Sequence, residues 1–532
     1  AVAAAATARA DRPELLFAHA LRLIRGLGHA AAGTLADALS SSASPESGGR
    51  GAHAQALRLA FARCVALEVS VILRTHTVPT LLAARSAGAP LWLHLADEAA
   101  EFDIRVRTLL GFPALAHELA EEAREQAPVA AASVLVERAE WGAQWHAAEL
   151  AELEKKLDHA VDAPNAWGLY EPGVGAARAM TAAALTKSGG AAEDADAVEE
   201  PDDELSDALL EYKPAQCAEE VMMAVRKSSE RAKSLPLPAH RADFVAAVPV
   251  AAAEAFVRRM KRHVSRAEAY KELAKEEGIA RIAGAANTAA FLSHSLTELA
   301  DEPVLAELTS AASSTSPDGA QPSLFGGAIR AFESFAQEWV IKLADAANDA
   351  FVKEAGVYLR LRGAFSETTS EGGEQASTDL QPALEGLHSR LGQLRSSLAP
   401  ELFALVWPAL ANSLSKTLFN ELATEALFSP AGAARFASDC GHLFRLFRFA
   451  RNPERYFRAL AEALALLELS ADAARALALA LQLHEERGGD AEAADGGEGG
   501  GARGLLAKAG VSKLTSYQAL AVLLQRLDVI QK

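Results

Sequence analysis

Four polar side chains in the segment LWLHLADEAAEFDIRVR, residues 91–107, have the types and spacing of a metal site. His94, Asp97, Glu98 and Glu101 stand three and four positions apart, which places them on one face of a helix. Imidazole and carboxylate groups bind divalent metals, and di-metal helical bundles use this spacing together with a matching Glu-x-x-His set on a facing helix. The sequence offers no matching set. We therefore predict a polar helix border and keep a metal-binding helical bundle as the weaker alternative.

Other motifs that would indicate catalysis are incomplete. HELAE, residues 117–121, begins like the helix of a zinc protease, but its last position is Glu121 rather than a second histidine. The sequence contains no GxSxG elbow and no GxxxxGK phosphate loop, and Cys64, Cys217 and Cys440 lack the CxxC spacing of redox or zinc sites. We predict no enzymatic activity, no catalytic residues, and no cofactor-binding or metal-binding residues.

Two arginine-rich segments are candidate partner-binding surfaces. Arginines recur three and four positions apart in LFRLFRFARNPERYFRALAEAL, residues 443–464, and four apart in VRRMKRHVSR, residues 257–266. On predicted helices this spacing gathers the guanidinium groups on one face, where they can contact an acidic partner. The candidate residues are Arg445, Arg448, Arg451, Arg455, Arg458, Arg258, Arg262 and Arg266.

A helical hairpin is predicted to position the first group of arginines. Apolar residues follow a four-three-four spacing on the side opposite Arg445 and Arg448, which is typical of an amphipathic helix. Asn452 and Pro453 then predict a break, because Asn can cap a helix and Pro suits its first turn. The two predicted seams consist of Phe436, Cys440, Leu443 and Phe447, followed by Phe457, Leu460, Leu464 and Leu467.

The overall charge limits what these arginines can bind. A formal net charge of −18 and a pI near 5.3 argue against a broad nucleic-acid surface, which needs a positive field to displace counterions. Membrane insertion is not predicted either, because the segment from Ala459 to Leu483, which we take as the best candidate span, carries four charges. We expect local contacts with acidic protein partners and no transmembrane segment.

Helical periodicity predicts an all-α fold for most of the chain, built as an elongated rod of consecutive helical bundles. Hydrophobic residues make up 50% of the chain and aromatic residues only 6%, and Ala and Leu, both strong helix formers, dominate. Polar breaks divide the pattern. The predicted parts are an N-terminal bundle at 12–187, an acidic linker at 188–203, a central bundle at 204–362, a Gly/Ser/acidic linker at 363–379, and a C-terminal bundle at 380–532 with a disordered insertion at 488–504.

Several segments, in order along the chain, resemble the RINT/TIP proteins, called MAIGO in plants. RPELLFAHALRLI at 12–24 resembles the RPEW-type opening of the family, and residues 91–113 resemble its HL-x-DE-x3-F segment with a Gly-aromatic-Pro turn. ELFALVWPALANSLSKTLFNELA at 401–423 is similar to its aromatic-rich C-terminal helix. LFRLFRFARNPERYF at 443–457 is similar to its LFxLF…RPExYF signature, with Asn452 where an Arg is usual.

This resemblance implies a function that composition and spacing do not show. It implies a non-enzymatic subunit of a vesicle-tethering complex in retrograde Golgi-to-endoplasmic-reticulum transport, peripheral on the cytoplasmic face of the endoplasmic reticulum. The implied partners are a zeste-white-ten-like tether subunit and SNAREs of the endoplasmic reticulum. The first contact is implied to use an N-terminal segment missing here, since we expect this chain to be part of a longer protein. A helical adaptor in a DNA-damage checkpoint remains the alternative.

Overall fold

The computed structural model confirms the predicted all-α fold. It describes residues 12–40, 50–83, 89–113, 130–170, 211–269, 272–313, 323–367, 376–450, 452–486 and 502–530. Within these ranges the secondary structure is helical, and the extended pairings are two isolated bridges, Leu169 with Ala215 and Phe428 with Arg526.

In the first part of the chain, α1 begins at Pro13, a residue well suited to the first turn of a helix. The helices are α1 Pro13–Ser40, α2 Arg50–Ile72, α3 Val78–Ala83, α4 Ala89–Leu109, α5 Ala139–Asp162, α6 Cys217–Arg231, α7 Pro238–Val245, α8 Ala251–Ala269, α9 Glu276–Asp301 and α10 Pro303–Ser313. Short 3-10 turns occupy Ala131–Val136 and Ala232–Ser234, and π-helical turns occupy Leu73–Thr77 and Ala246–Val250.

The second part of the chain is helical in the same way. Its helices are α11 Gly326–Glu354, α12 Gly356–Arg360, α13 Gln381–Ser397, α14 Pro400–Leu418, α15 Pro430–Leu446, α16 Arg458–Glu468, α17 Ala471–Glu486, α18 Ala502–Lys508, α19 Ser516–Leu523 and α20 Leu527–Ile530. The 3-10 turns here are Arg362–Phe365 and Pro453–Arg455, and a π-helical turn at Phe419–Ala423 extends α14.

The described residues group into two compact units. The first takes its residues from 1–208, 215–261 and 289–333, and the second from 209–214, 262–288 and 334–532. The predicted division into three bundles stays a prediction. The acidic linker at 188–203 lies outside the described residues, as do positions 368–375 and 488–501 of the other two predicted breaks, and residues 502–504 belong to α18.

The core of the first unit follows helical periodicity. In α4, Trp92, Leu95, Ala99, Phe102 and Val106 recur three and four apart, and all of them are buried. The rings of Phe17 on α1 and Phe102 on α4 pack with centroids 5.1 Å apart. Trp141 and Trp145 on α5 are also buried.

A buried carboxylate joins α4 to the next described segment. Asp103 is 3% exposed, and its two oxygens accept hydrogen bonds from the backbone N–H groups of Ala131 at 2.7 Å and Ala132 at 3.0 Å. It therefore caps the 3-10 turn Ala131–Val136. Burial raises the pKa of Asp103 from its ordinary 3.8 to about 6, although these N–H groups and the nearby Arg107 oppose the shift.

Two buried polar groups organise the second unit. The Asn287 amide donates to the carbonyl oxygens of Lys213 and Ser397 and accepts from the N–H of Ala399, so all three contacts of this buried side chain are satisfied.

The Asp439 carboxylate accepts from the Tyr358 hydroxyl at 2.9 Å and from the backbone and hydroxyl of Ser377 at 2.8 and 2.7 Å. Burial and this carboxylate raise the pKa of Tyr358. Asp439 thus ties α12 and the segment before α13 to α15.

Candidate partner-binding surfaces

The hairpin predicted from the apolar seams between Phe436 and Leu467 is present, and both seams are buried. Phe447 and Phe457 are each 0% exposed, and their ring centroids lie 5.2 Å apart. Phe444 packs on Phe457 at 4.8 Å. The other seam residues, Phe436, Cys440, Leu443, Leu460, Leu464 and Leu467, are buried as well. The seams therefore fix α15 and α16 against each other.

The connection between these helices differs from the prediction in one respect. Asn452 makes no side-chain cap, because its backbone angles of −145° and 81° belong to neither a capping nor a helical conformation here. A 3-10 turn, Pro453–Arg455, follows it, and α16 begins only at Arg458. The break itself occurs at the predicted place, while the second helix begins five residues later than a Pro453 start would give.

Aromatic contacts rather than an Asn cap hold the connection in place. Tyr456 packs edge-on against Trp407 of α14 with centroids 4.4 Å apart. Phe449 lies 5.4 Å from Phe403 and 5.7 Å from Trp407, and the Arg395 guanidinium stands 5.8 Å from the Phe449 ring centroid. Phe449 is nevertheless 38% exposed, so this anchored turn also presents an aromatic surface to solvent.

The arginines of this hairpin point to solvent. Arg445, Arg448, Arg455 and Arg458 are exposed. The Arg445 guanidinium donates a hydrogen bond to the Gly441 carbonyl oxygen at 3.3 Å. Within the described residues, no carboxylate lies within ion-pair distance of the other three. Arg451 falls outside the described residues. An exposed, unneutralised guanidinium group can pair with a carboxylate of a partner in a bidentate geometry.

The second arginine group lies on α8. Arg258, Arg262 and Arg266 are exposed at successive i+4 positions, while Met260 and Val264 are buried on the other side of the helix. This arrangement matches the prediction that the three arginines share one face of a helix. Arg259, which the sequence analysis did not select, is instead held by the Asp158 carboxylate at 2.7 Å. The selected arginines are therefore the exposed arginines of the run.

Three of the four metal-like residues of α4 lie against separate ionisable partners. His94 lies 3.1 Å from Glu14, Asp97 lies 2.8 Å from Arg231, and Glu101 lies 2.6 Å from Arg105. Among the described residues, no group of three or more His, Cys, Asp or Glu side chains could hold a metal ion. These side chains thus form a polar border of α4, and two of them link the helix to α1 and α6.

One polar centre next to this border was not predicted. Glu149 on α5 is 7% exposed, accepts a hydrogen bond from the Trp145 indole at 2.9 Å and forms an ion pair with Arg231. Burial raises the pKa of Glu149, and Arg231 and Trp145 oppose the shift. The i, i+4 spacing of Trp145 and Glu149 was visible in the sequence, but the distant partner Arg231 was not.

One helix passes a length and composition test for a membrane span. Among the described residues, the segment Pro400–Ala423 has 24 residues and a mean hydropathy of 1.2 in its most apolar window. It is not the segment taken from the sequence as the best candidate, residues 459–483, which carries four charges. Half of the apolar window is buried, as in the core helix of a soluble protein, so the test alone is weak support for a span.

Comparisons with known proteins agree with the resemblance noted in the sequence. The chain is 22% identical to the RINT1-like protein MAG2 of Arabidopsis thaliana over 394 residues, which are 72% of this chain and 45% of that protein. The chain thus spans less than half the length of that relative.

Among solved structures, the crystal structure of the SNARE Sec20 bound to Dsl1 complex subunit Tip20 matches with a TM-score of 0.53 and 13% identity. The match covers 97% of this chain and 81% of that chain. At this identity the match shows a shared fold alone. A sequence model of the RINT-1/TIP-1 family matches residues 3–526. The chain belongs to the RINT-1/TIP-1 family.

Proposed function

We propose that the protein is a non-enzymatic subunit of a vesicle-tethering complex that acts in retrograde transport from the Golgi to the endoplasmic reticulum. The observation that carries the proposal is the family match across residues 3–526. The fold match to Tip20, crystallised as a Dsl1 complex subunit with the SNARE Sec20, supports the same role. The motifs at residues 91–113 and 443–457 support it from the sequence.

The partners in this proposal are SNAREs of the endoplasmic reticulum and sister tether subunits, one of them zeste-white-ten-like. The protein is peripheral on the cytoplasmic face of the endoplasmic reticulum and is held there by these partners. Several weak contacts suffice, because linking binding modules raises the effective concentration of each without requiring one tight site.

The exposed arginines supply one such contact. The helical hairpin of α15 and α16 carries four of them, and packed aromatic rings fix its backbone. These are Arg445, Arg448, Arg455 and Arg458. A partner segment rich in Asp and Glu can therefore form ion pairs with these guanidinium groups. Within the described residues, no carboxylate of this chain competes for them. The α8 group offers a second surface of the same chemistry.

Affinity capture of the full-length protein from cells of its source tests the proposal. The tagged protein is captured after mild cross-linking, and co-purifying proteins are identified by mass spectrometry against a tagged helical protein of similar size. We expect enrichment of a SNARE and of a tether subunit. Recovery of neither, while an established tether subunit captured in parallel keeps its own partners, contradicts the proposal. Recovery of DNA-damage checkpoint proteins instead would favour the adaptor alternative.

A further inference from the structure

The first unit contains a cleft that lies apart from the two arginine groups. Its volume is about 360 Å³. Helices α1, α2 and α4 contribute its walls, and the turn after α4 closes one end. The lining residues are Ile24, Arg25, Gln55, Arg58, Leu109 and Leu110.

The ionisable side chains that line this cleft are both cations. Arg25 is exposed and Arg58 is half-buried, and neither has a carboxylate within ion-pair distance in the described part of the chain. The Nε–H of Arg58 is shielded from solvent and has no hydrogen-bond partner there. A buried donor without an acceptor costs free energy, more so when it is charged. In a chain of net charge −18, this cleft therefore combines two guanidinium groups with a shielded donor that lacks an acceptor.

The rest of the lining is largely apolar. Ile24 is 7% exposed and forms part of the floor, whereas Leu109 is 43% exposed at the rim. A ligand that fills the cleft therefore needs an apolar group beside its anionic group. The volume is at the small end of ligand pockets, which span roughly 300–1,000 Å³. It suits a few side chains of an extended segment rather than a folded element.

We propose that this cleft binds a short acidic-apolar peptide segment of a partner protein. An Asp or Glu carboxylate of the segment accepts hydrogen bonds from the Arg58 guanidinium, with Arg25 adding charge attraction. A neighbouring Leu-like side chain of the segment covers Ile24 and Leu109. The proposal rests on the proposed function, since it assigns one contact of a subunit that works by binding proteins.

The number of cations favours a peptide over a membrane. Recognition of anionic lipid surfaces uses clusters of about four to eight Lys or Arg residues. The lining has two, and one of them, Arg58, is recessed beside apolar side chains. Two guanidinium groups match one or two carboxylates of a peptide.

Saturation-transfer difference NMR on the full chain tests the cleft, because the method detects weak ligands of a large protein. The probes are the N-acetylated, C-amidated peptide Leu-Asp-Glu-Leu and its uncharged isostere Leu-Asn-Gln-Leu. We expect signals from the acidic peptide and an affinity at least about tenfold weaker for the isostere, since each hydrogen bond to a charged group contributes roughly 1.5–3 kcal/mol and 1.4 kcal/mol is a factor of ten.

Three variants locate the binding. Arg58→Gln and, separately, Arg25→Gln are expected to weaken the acidic peptide, Arg58→Gln by about tenfold. Arg330→Gln, a change at an exposed arginine of α11 that belongs neither to the cleft nor to the two arginine groups, is the matched control and should leave binding unchanged. Arg25 is exposed, so its variant remains informative if Arg58→Gln alters folding, which circular dichroism will report. Equal binding of both peptides, or unchanged binding in both cleft variants, overturns the proposal.

A separate experiment tests whether the cleft binds anionic lipid headgroups rather than a peptide. Vesicles with 20% phosphatidylserine are sedimented with the wild type and with Arg58→Gln. Binding of vesicles that depends on Arg58, without binding of the peptide, overturns the proposal in favour of a lipid site. The probes contain no SNARE or tether subunit, so a negative result with them does not contradict the proposed function. Failed capture of those partners, in turn, does not contradict peptide binding in the cleft.

Discussion

The carboxylate of Glu462 on α16 accepts a hydrogen bond from the backbone N–H of Leu514, 52 positions further along the chain, at 2.9 Å. The same carboxylate accepts from the N–H groups of Ser512 and Lys513 and from the Ser512 hydroxyl. Glu462 is 8% exposed. The segment that connects α18 to α19 thus wraps a single carboxylate with its backbone donors.

Replacing Glu462 should loosen this segment. Glu462→Ala leaves three backbone donors without their acceptor, at an expected cost of about 2–4 kcal/mol, since hydrogen bonds to charged groups contribute roughly 1.5–3 kcal/mol each and are not additive. Hydrogen–deuterium exchange at residues 511–515 should rise in the variant. Glu468→Ala, at an exposed position of the same helix, is the control and should change exchange little. Unchanged exchange in Glu462→Ala would show that the segment is held by other contacts.

The pH dependence at Glu462 has a defined sign. Burial opposes its charged form, but the backbone hydrogen bonds outweigh burial and lower the pKa of Glu462 below its ordinary 4.5. Its contribution to stability is therefore present above pH 4.5 and is lost as the pH falls through the lowered value. The difference in exchange between wild type and Glu462→Ala should shrink as the protein is acidified.

Asp103 should respond to pH in the opposite direction. Burial raises its pKa from 3.8 to about 6, so its contribution to stability is fully present below pH 3.8 and is lost as the pH rises through 6. At about 1.4 kcal/mol per pKa unit, the shift corresponds to roughly 3 kcal/mol.

The variant Asp103→Asn cannot ionise. Relative to the wild type, its free energy of unfolding should therefore increase by up to about 3 kcal/mol between pH 4 and pH 7, as measured by urea titration at both values. Asp349→Asn, at a position in α11 whose side chain lies outside this cap, provides the control. If the free energy of unfolding changes equally with pH in Asp103→Asn and in the wild type, the raised pKa of Asp103 is refuted.

Sequence periodicity predicted most of the fold and the apolar seams of the candidate hairpin. The burial of Phe436 and Phe447 was predicted from the helical spacing of apolar residues, because this spacing is a property of neighbouring positions in the sequence. The prediction that Asn452 caps the second helix was wrong. Contacts of Phe449 and Tyr456 with Trp407 fix the turn instead, and neighbouring residues in the sequence do not indicate such tertiary contacts.

Polar contacts between distant segments were not predictable for the same reason. Glu462 and Ser512 are 50 positions apart, and Arg58 and Leu109 meet at one cleft only after α2 and α4 have packed. Charge patterns did select the exposed arginines, because the solvent face of an amphipathic helix is a local property.

The arginine surface of the hairpin can be tested without disturbing the fold. Arg448 and Arg455 are exposed, so Arg448→Glu with Arg455→Glu should change the unfolding free energy by no more than about 0.5 kcal/mol. If an acidic partner binds there, the double variant should lose that partner in affinity capture, because like charges replace an attractive pair. Arg330→Glu, at an exposed position of α11, is the control for reversing the charge of one arginine elsewhere on the surface. Full retention of every partner by the double variant would exclude this surface.

Two glycines of α15 should respond to alanine in opposite directions. A Cβ atom at Gly432 would lie 1.8 Å from the carbonyl oxygen of Phe365, whereas a Cβ at Gly441 would have nothing within 4 Å. The Phe365 carbonyl also accepts the N–H of Ser429, which caps α15, so the backbone has little freedom to move away.

Gly432→Ala should therefore destabilise the protein by about 1–3 kcal/mol, the usual cost of overpacking. Gly441→Ala should instead stabilise it by about 0.5–1 kcal/mol, because alanine is the better helix former. Thermal unfolding of the two variants beside the wild type gives both signs in one experiment. A neutral Gly432→Ala would mean that α15 can move away from the Phe365 carbonyl, and the close approach would then be no constraint on the cap at Ser429.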